Sequence, residues 1–177
     1  NKIDKFPFAV DGNATDVGIL SQGRYLPIGQ SSRVAGYTSG GYLGSSPAPS
    51  RVKQAIDKFP FANDASAVFV GNLSVKRYGG SGQQSVISGY TSGGAAPAGQ
   101  NTIDKFPFAT DASATDVGDL TVANTFGAGQ SSLDSGYSSG GDSAFNVIQK
   151  FPFATDASAT DVGDLTVTAR LACGQQV

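Results

Sequence analysis

The feature that most restricts this chain is a repeat whose internal spacing never changes. From an isoleucine to a glycine pair, three copies each span 39 residues, Ile3–Gly41, Ile56–Gly94 and Ile103–Gly141. A fourth, incomplete copy starts at Ile148. All variation in length lies between the glycine pair and the next isoleucine, where 14, 8 and 6 residues intervene. Such constancy is required when each residue must face its equivalent in a stacked neighbour, with insertions collected in loops on one side. One stretch is copied letter for letter: "KFPFATDASATDVGDLTV" stands at Lys105–Val122 and again at Lys150–Val167. A catalytic site is normally needed once, so this duplication points to architecture.

Within the unit the apolar period is that of strands. Phe6 and Phe8, with Phe59 and Phe61, Phe106 and Phe108, Phe151 and Phe153, lie two apart and share one face of a short extended segment. The proline between them lacks a ladder donor, so the segment should end there or lie at a sheet rim. "TDASATD" then has the small and Asx residues of a turn, and "VGDLTV" reads as a second strand. A third segment runs through Gly29-Gln30, Gly82-Gln83, Gly129-Gln130 and Gly174-Gln175. It is poor in apolar residues, as suits an inner strand whose backbone approaches its neighbours. The fourth, "GYTSGG" or "GYSSGG", contributes Tyr37, Tyr90 and Tyr137 and closes on paired glycines. Four short strands per unit of about 45 residues is the period of a propeller blade.

Composition supports an all-β chain and narrows its chemistry. There are 24 Gly and 8 Pro, with no Met, Trp or His. Twelve basic against fourteen acidic residues leave a net charge of -2, which offers no electrostatic grip on nucleic acid or an anionic membrane. No apolar run reaches the ~18 residues of a membrane span, and no charged-then-apolar leader stands at the N-terminus. The chain starts at Asn1 rather than Met, and the expectation is a processed polypeptide or part of a larger one. Cys173 is the sole cysteine, which removes any internal disulfide; a small buried side chain is expected there.

Without histidine the commonest general base is missing, and neither a Ser-His-Asp nor a Cys-His arrangement can form. Carboxylate pairs remain, Asp116 with Asp119 and Asp161 with Asp164, of the kind glycoside hydrolysis uses. The second copy has Val68 and Phe69 where the others have Thr-Asp, so turn chemistry is the expected role. Asp111, Ser113 and Thr115 alternate in the manner of cation ligands, yet Asp116 and Val122 stand where an EF-hand needs Gly and Glu. No catalytic, cofactor or metal residue is assigned, and no cofactor is expected. The tyrosines are expected in the blade core rather than around a ligand. Lys5, Lys58, Lys105 and Lys150 are expected as solvated strand residues guarding an edge. Asn13 and Asn72 head formal glycosylation sequons. For binding, the unequal loops come first, above all Tyr42–Gln54 with Tyr42, Leu43, Arg51 and Lys53, although drift also explains such variation.

The order "GYTSGG", variable loop, "IDKFPF", "TDASATD", "VGDLTV" and Gly-Gln resembles the kelch repeat. Arg24, Arg77 and Arg170 match the arginine of that family, with Asn124 or Thr125 near its place in the third copy; the family's usual tryptophan is absent. The resemblance implies a β-propeller of four-stranded blades. About four blades' worth of sequence is present, beginning in the third strand of one blade and ending in the first of another, within a single repeat domain over residues 1–177. The phrases "KFPFATDASATDVGDLTV", "GQSS" and "GYTSGG" are also similar to repeats of predicted virion and tail-associated proteins of marine bacteriophages. That likeness implies a non-catalytic structural or adhesive protein, on a virion or outside the cell. Expected partners are other virion or assembly proteins and surface glycans, in an oligomer or a longer chain. The alternative is a secreted propeller lectin or an enzyme acting on polysaccharide.

Overall fold

The structure, a computed structural model, describes residues 1–44, 48–142, 145–171 and 174. The described residues are all-β, in fourteen strands without a helix. A hairpin of β1 (Lys2–Lys5) and β2 (Thr15–Ile19) comes first. Three four-stranded sheets follow. The first holds β3 (Ile28–Ser31), β4 (Ala35–Ser39), β5 (Ala55–Pro60) and β6 (Val68–Asn72). The second holds β7 (Ser81–Gln84), β8 (Ser88–Ser92), β9 (Thr102–Pro107) and β10 (Thr115–Asp119). The third holds β11 (Ala128–Ser131), β12 (Ser135–Ser139), β13 (Val147–Pro152) and β14 (Thr160–Asp164). In each sheet the strands lie in chain order and antiparallel, so every sheet joins the back half of one sequence repeat to the front half of the next. A closed ring of sheets is not formed among the described residues.

Register is the same in all three sheets: Tyr37 faces Lys58, Tyr90 faces Lys105 and Tyr137 faces Lys150. Strands β5, β9 and β13 end on Pro60, Pro107 and Pro152, where the missing N–H would otherwise break the ladder. The glycine before each tyrosine also has a purpose. Gly36 pairs with Phe59, Gly89 with Phe106 and Gly136 with Phe151, and each phenyl ring fills the space a Cβ would take.

The core lies between successive sheets. Tyr37 packs on Phe106 and Phe108 of the next sheet, at ring distances of 5.5 and 4.9 Å, with Ile56, Leu73 and Ala114 closing the cluster. The next junction repeats this with Tyr90 on Phe151 and Phe153 at 5.6 and 4.8 Å, beside Ile103, Leu120 and Ala159. Burial pushes the phenols of Tyr37 and Tyr90 up, so both stay neutral and apolar in character at neutral pH. Strands β3, β7 and β11 run side by side so closely that a Cβ on Gly82 or Gly129 would collide with the carbonyl of Gly29 or Gly82. Here the Gly-Gln pattern becomes intelligible. The glycine admits the neighbouring backbone, while Gln30 Nε2 donates across to Tyr90 O (3.0 Å) and Gln83 Nε2 to Tyr137 O (2.9 Å).

Two expectations need correction. Lys58, Lys105 and Lys150 guard no edge, because β5, β9 and β13 are paired on both sides, whereas Lys5 stands on β1, which pairs with β2 alone. Three of the four reach the turn of the following unit: Lys5 meets Asp64 at 3.0 Å, Lys58 meets Asp111 at 2.9 Å and Lys105 meets Asp156 at 2.8 Å. The hydrogen bonds that Lys58 and Lys105 donate to Asp111 and Asp156 hold the two lysine pKa values above their ordinary range. The second correction concerns Arg170. Gly41 donates to Arg77 O, Gly94 to Asn124 O and Gly141 to Ala169 O, so Ala169 occupies the arginine's place. Arg170, one residue on, meets Asp142 at 3.1 Å and lies over the Phe126 ring. Cys173 and Gln175 lie outside the described residues.

Candidate binding surface

Each β3–β4, β7–β8 and β11–β12 hairpin turns on the same device. The hydroxyl oxygen of Ser32 accepts from Val34 N (3.3 Å) and Ala35 N (3.0 Å). Ser85 does the same for Ile87 and Ser88, and Ser132 for Asp134 and Ser135. A serine bonding forward to its own backbone in this way fixes a tight turn and leaves the two residues after it free to vary. These are Arg33-Val34, Val86-Ile87 and Leu133-Asp134, all exposed; Ile87 is 72% and Leu133 87% accessible.

The three tips border one shallow groove of about 700 Å³, lined by Ser31 to Arg33, Gln84 to Val86 and Ser131 to Leu133. Its floor is cross-braced. Gln84 Nε2 donates to Ser31 Oγ (3.2 Å), and Gln84 N donates to Ser131 Oγ (2.9 Å). Rigid tips with divergent aliphatic and charged side chains suit contact with a surface; they contain no nucleophile–base pair. Sequence reasoning passed over these residues because it looked for variation in loop length. The available signal was variation in residue type at constant length, in "SSRVAG", "QSVISG" and "SSLDSG".

Of the long loop after β4, residues 45–47 lie outside the described residues, and the described remainder is tied down instead of projecting. The Tyr42 ring stacks on Tyr25 at 5.5 Å and meets Tyr78 edge-on at 5.2 Å. Leu43 N donates to Arg51 O, Lys53 N to Gly41 O, and Val52 is buried. Tyr78 in turn meets Phe126 at 6.2 Å, so this end of the molecule carries a chain of half-exposed rings. Beside it is a second hollow of about 410 Å³, lined by Tyr78, Pro97, Thr125, Phe126 and Asp142 among others.

Asp16, Asp64, Asp111, Asp116, Asp156 and Asp161 in or beside the turns have backbone or lysine partners. Asp16, Asp116 and Asp161 each accept the N–H two residues on, from Gly18, Gly118 and Gly163, where the register slips by one residue. Asp111 holds Lys58, and Ser113 Oγ accepts from Asn72 N at 3.1 Å. Among the described residues no three His, Cys, Asp or Glu side chains come together as metal ligands.

The buried charges are structural by their surroundings. Arg77 donates to Gly93 O (3.1 Å), Thr102 O (2.8 Å) and Asp104 Oδ2 (2.9 Å), with both side chains inaccessible to solvent. Arg24 meets Asp57 at 2.6 Å in the preceding sheet. Burial pulls both guanidinium pKa values down and pushes the Asp104 carboxyl up, against the opposing attraction within each pair. In the third sheet both members change together. Asn124 Nδ2 donates to Gly140 O (2.6 Å), while Gln149 Oε1 accepts from Thr121 Oγ1 (2.7 Å).

These features define an all-β repeat protein of face-to-face antiparallel sheets with one row of rigid hairpin tips. Compared with protein-family models and with curated proteins, the sequence gives no match.

Proposed function

We propose that this chain is a non-catalytic structural and adhesive repeat protein of kelch-like propeller plan, a part of a virion, its tail or a comparable extracellular assembly. Its sheets serve as blades that hold the hairpin tips at fixed separations. Several weak contacts from those tips then add through effective concentration, which raises avidity without a strong single site. The observation that carries this reading is the constant serine turn beneath variable, exposed residues at Arg33-Val34, Val86-Ile87 and Leu133-Asp134. Exposed aliphatic tips without aromatic rings favour a protein surface over a glycan, since sugars are usually held by aromatic faces and polar groups.

The test is biolayer interferometry of the purified chain against surface proteins of particles from the organism that encodes it, alongside a glycan array. Val34→Ser, Ile87→Ser and Leu133→Ser are each expected to weaken binding modestly. The triple variant should lose it by more than the product of the single effects. Release of reducing sugar from a polysaccharide, or equal loss in single and triple variants, would overturn the proposal.

A further inference from the structure

The three junctions inside this molecule are built from one set of parts, and the molecule presents an unused half of that set on each of two faces. At every junction a lysine of one unit pairs with the turn aspartate of the next. A glycine of the outer strand lies directly beneath that turn: Gly18 under Ala65-Ser66, Gly71 under Ala112-Ser113 and Gly118 under Ala157-Ser158. Two hydrogen bonds lock the turn in place. In the last junction Asp119 N donates to Ser158 Oγ (3.1 Å) and Ala159 N donates to Asp119 O (2.8 Å).

The β11–β14 sheet carries the receiving half, uncovered by the described residues. Gly163 has no atom within 4 Å of where its Cβ would stand, Lys150 has no carboxylate partner among the described residues, and Tyr137 is only half-buried. The β1–β2 hairpin carries the inserting half. Asp11 meets no lysine among the described residues, and Phe8 is 95% exposed although its equivalents Phe108 and Phe153 pack on tyrosines. Asn13 stands where the docking serine would be and brings its own acceptor oxygen.

We propose that these two faces are the halves of one interface and that copies of this chain join head to tail through it. The β1–β2 hairpin of a second copy seats on the β11–β14 sheet, with its Phe6 and Phe8 on Tyr137, its Asp11 against Lys150 and its Gly12-Asn13 turn over Gly163. Charge and hydrogen-bonding groups match because the lysine–aspartate and glycine–turn contacts are already made three times within the chain, and the packing of a phenylalanine pair on a tyrosine is made twice. The interface is heterologous, so each added copy offers a fresh receiving face. One part of the set is missing. Ala169 stands in the arginine's place, so Asp4 of the incoming copy meets Thr166 without a guanidinium. This interface is separate from the hairpin tips, and loss of one leaves the other intact.

Sedimentation of the chain across a wide concentration range, with carbodiimide crosslinking of mixed light and heavy isotope-labelled protein, tests the proposal. Expected are species larger than 17.9 kDa and a Lys150–Asp11 crosslink joining light to heavy chains, with Lys105–Asp156 as the internal control. Lys150→Asp or Asp11→Lys alone should weaken association by roughly tenfold or more, because like charges then face each other, and the double variant should regain it. Ala169→Arg should tighten association, a gain that misfolding cannot mimic. A single 17.9 kDa species at every concentration overturns the proposal, as does a Lys150–Asp11 crosslink confined to one chain or assembly indifferent to all four variants.

Discussion

Exchanging the buried charges of the second sheet for the neutral pair of the third is the sharpest test of how the sheets are held. Arg77 and Asp104 are fully enclosed, and the guanidinium also satisfies the carbonyls of Gly93 and Thr102. Arg77→Asn alone strands a carboxylate, and Asp104→Gln alone strands a guanidinium. Breaking one side of a buried ion pair costs about 3–5 kcal/mol. The double variant copies Asn124 and Gln149, and Ser74 stands where Thr121 donates to Gln149, so the new amide finds a hydroxyl donor. Its cost should be within about 1 kcal/mol, since replacing both members of a buried pair is often near neutral. Urea unfolding followed by circular dichroism, with an unchanged slope, measures all four corners of the cycle. A double variant as unstable as the two singles combined would refute the reasoning. The pH profile gives a second check. Burial raises the Asp104 pKa above its ordinary 3.8, so between pH 3.8 and the folded value the folded state keeps a proton the unfolded chain has lost. That contribution is full below pH 3.8 and is lost as pH rises through the folded value; the double variant should lack this slope.

Phe106→Ala should cost about 3–5 kcal/mol, because the ring is buried between Gly89 and Tyr37, whereas exposed Phe8→Ala should leave monomer stability unchanged in the same urea assay. Gly82→Ala forces a Cβ into the Gly29 carbonyl and should lower the melting temperature through separation of β3 from β7, which amide exchange would register on both strands. Asp111→Asn and Asp156→Asn should each cost about 0.2–1 kcal/mol, as expected of exposed pairs. The raised pKa values of Lys58 and Lys105 make that contribution full below pH 10.5 and lost as pH climbs through their folded values.

The repeat frame was legible because strand spacing is a covalent quantity. Constant distances between Phe-Pro-Phe, Gly-Gln and Gly-Tyr give the four strands, and Pro60, Pro107 and Pro152 do terminate theirs. The contents of the junctions were harder to read. Nothing local says that Lys58 reaches Asp111 in the next repeat, since both look like solvated polar residues until the sheets are stacked. The buried pairs left a trace that went unread. Where Arg24 and Arg77 become Asn124, Asp57 and Asp104 become Gln149, and only contact explains that joint change. Arg170 misled because chemical type drew the eye one residue past Ala169, the true equivalent. The hairpin tips escaped notice because their lengths are equal.

Near-identical repeats carry a hazard during folding, since a hairpin can insert in the wrong slot, a recurrent failure of repeat proteins. The β9–β10 and β13–β14 hairpins share eighteen consecutive residues, so most contacts would tolerate the swap. The paired substitutions do not. Were β13 to occupy the place of β9, Gln149 would leave the Arg77 guanidinium without its carboxylate, and β9 in place of β13 would set Asp104 beside neutral Asn124. Each error buries an uncompensated charge. The difference between an aspartate and a glutamine, one position ahead of the shared stretch, thus works as a key that sorts two otherwise interchangeable pieces into their own slots.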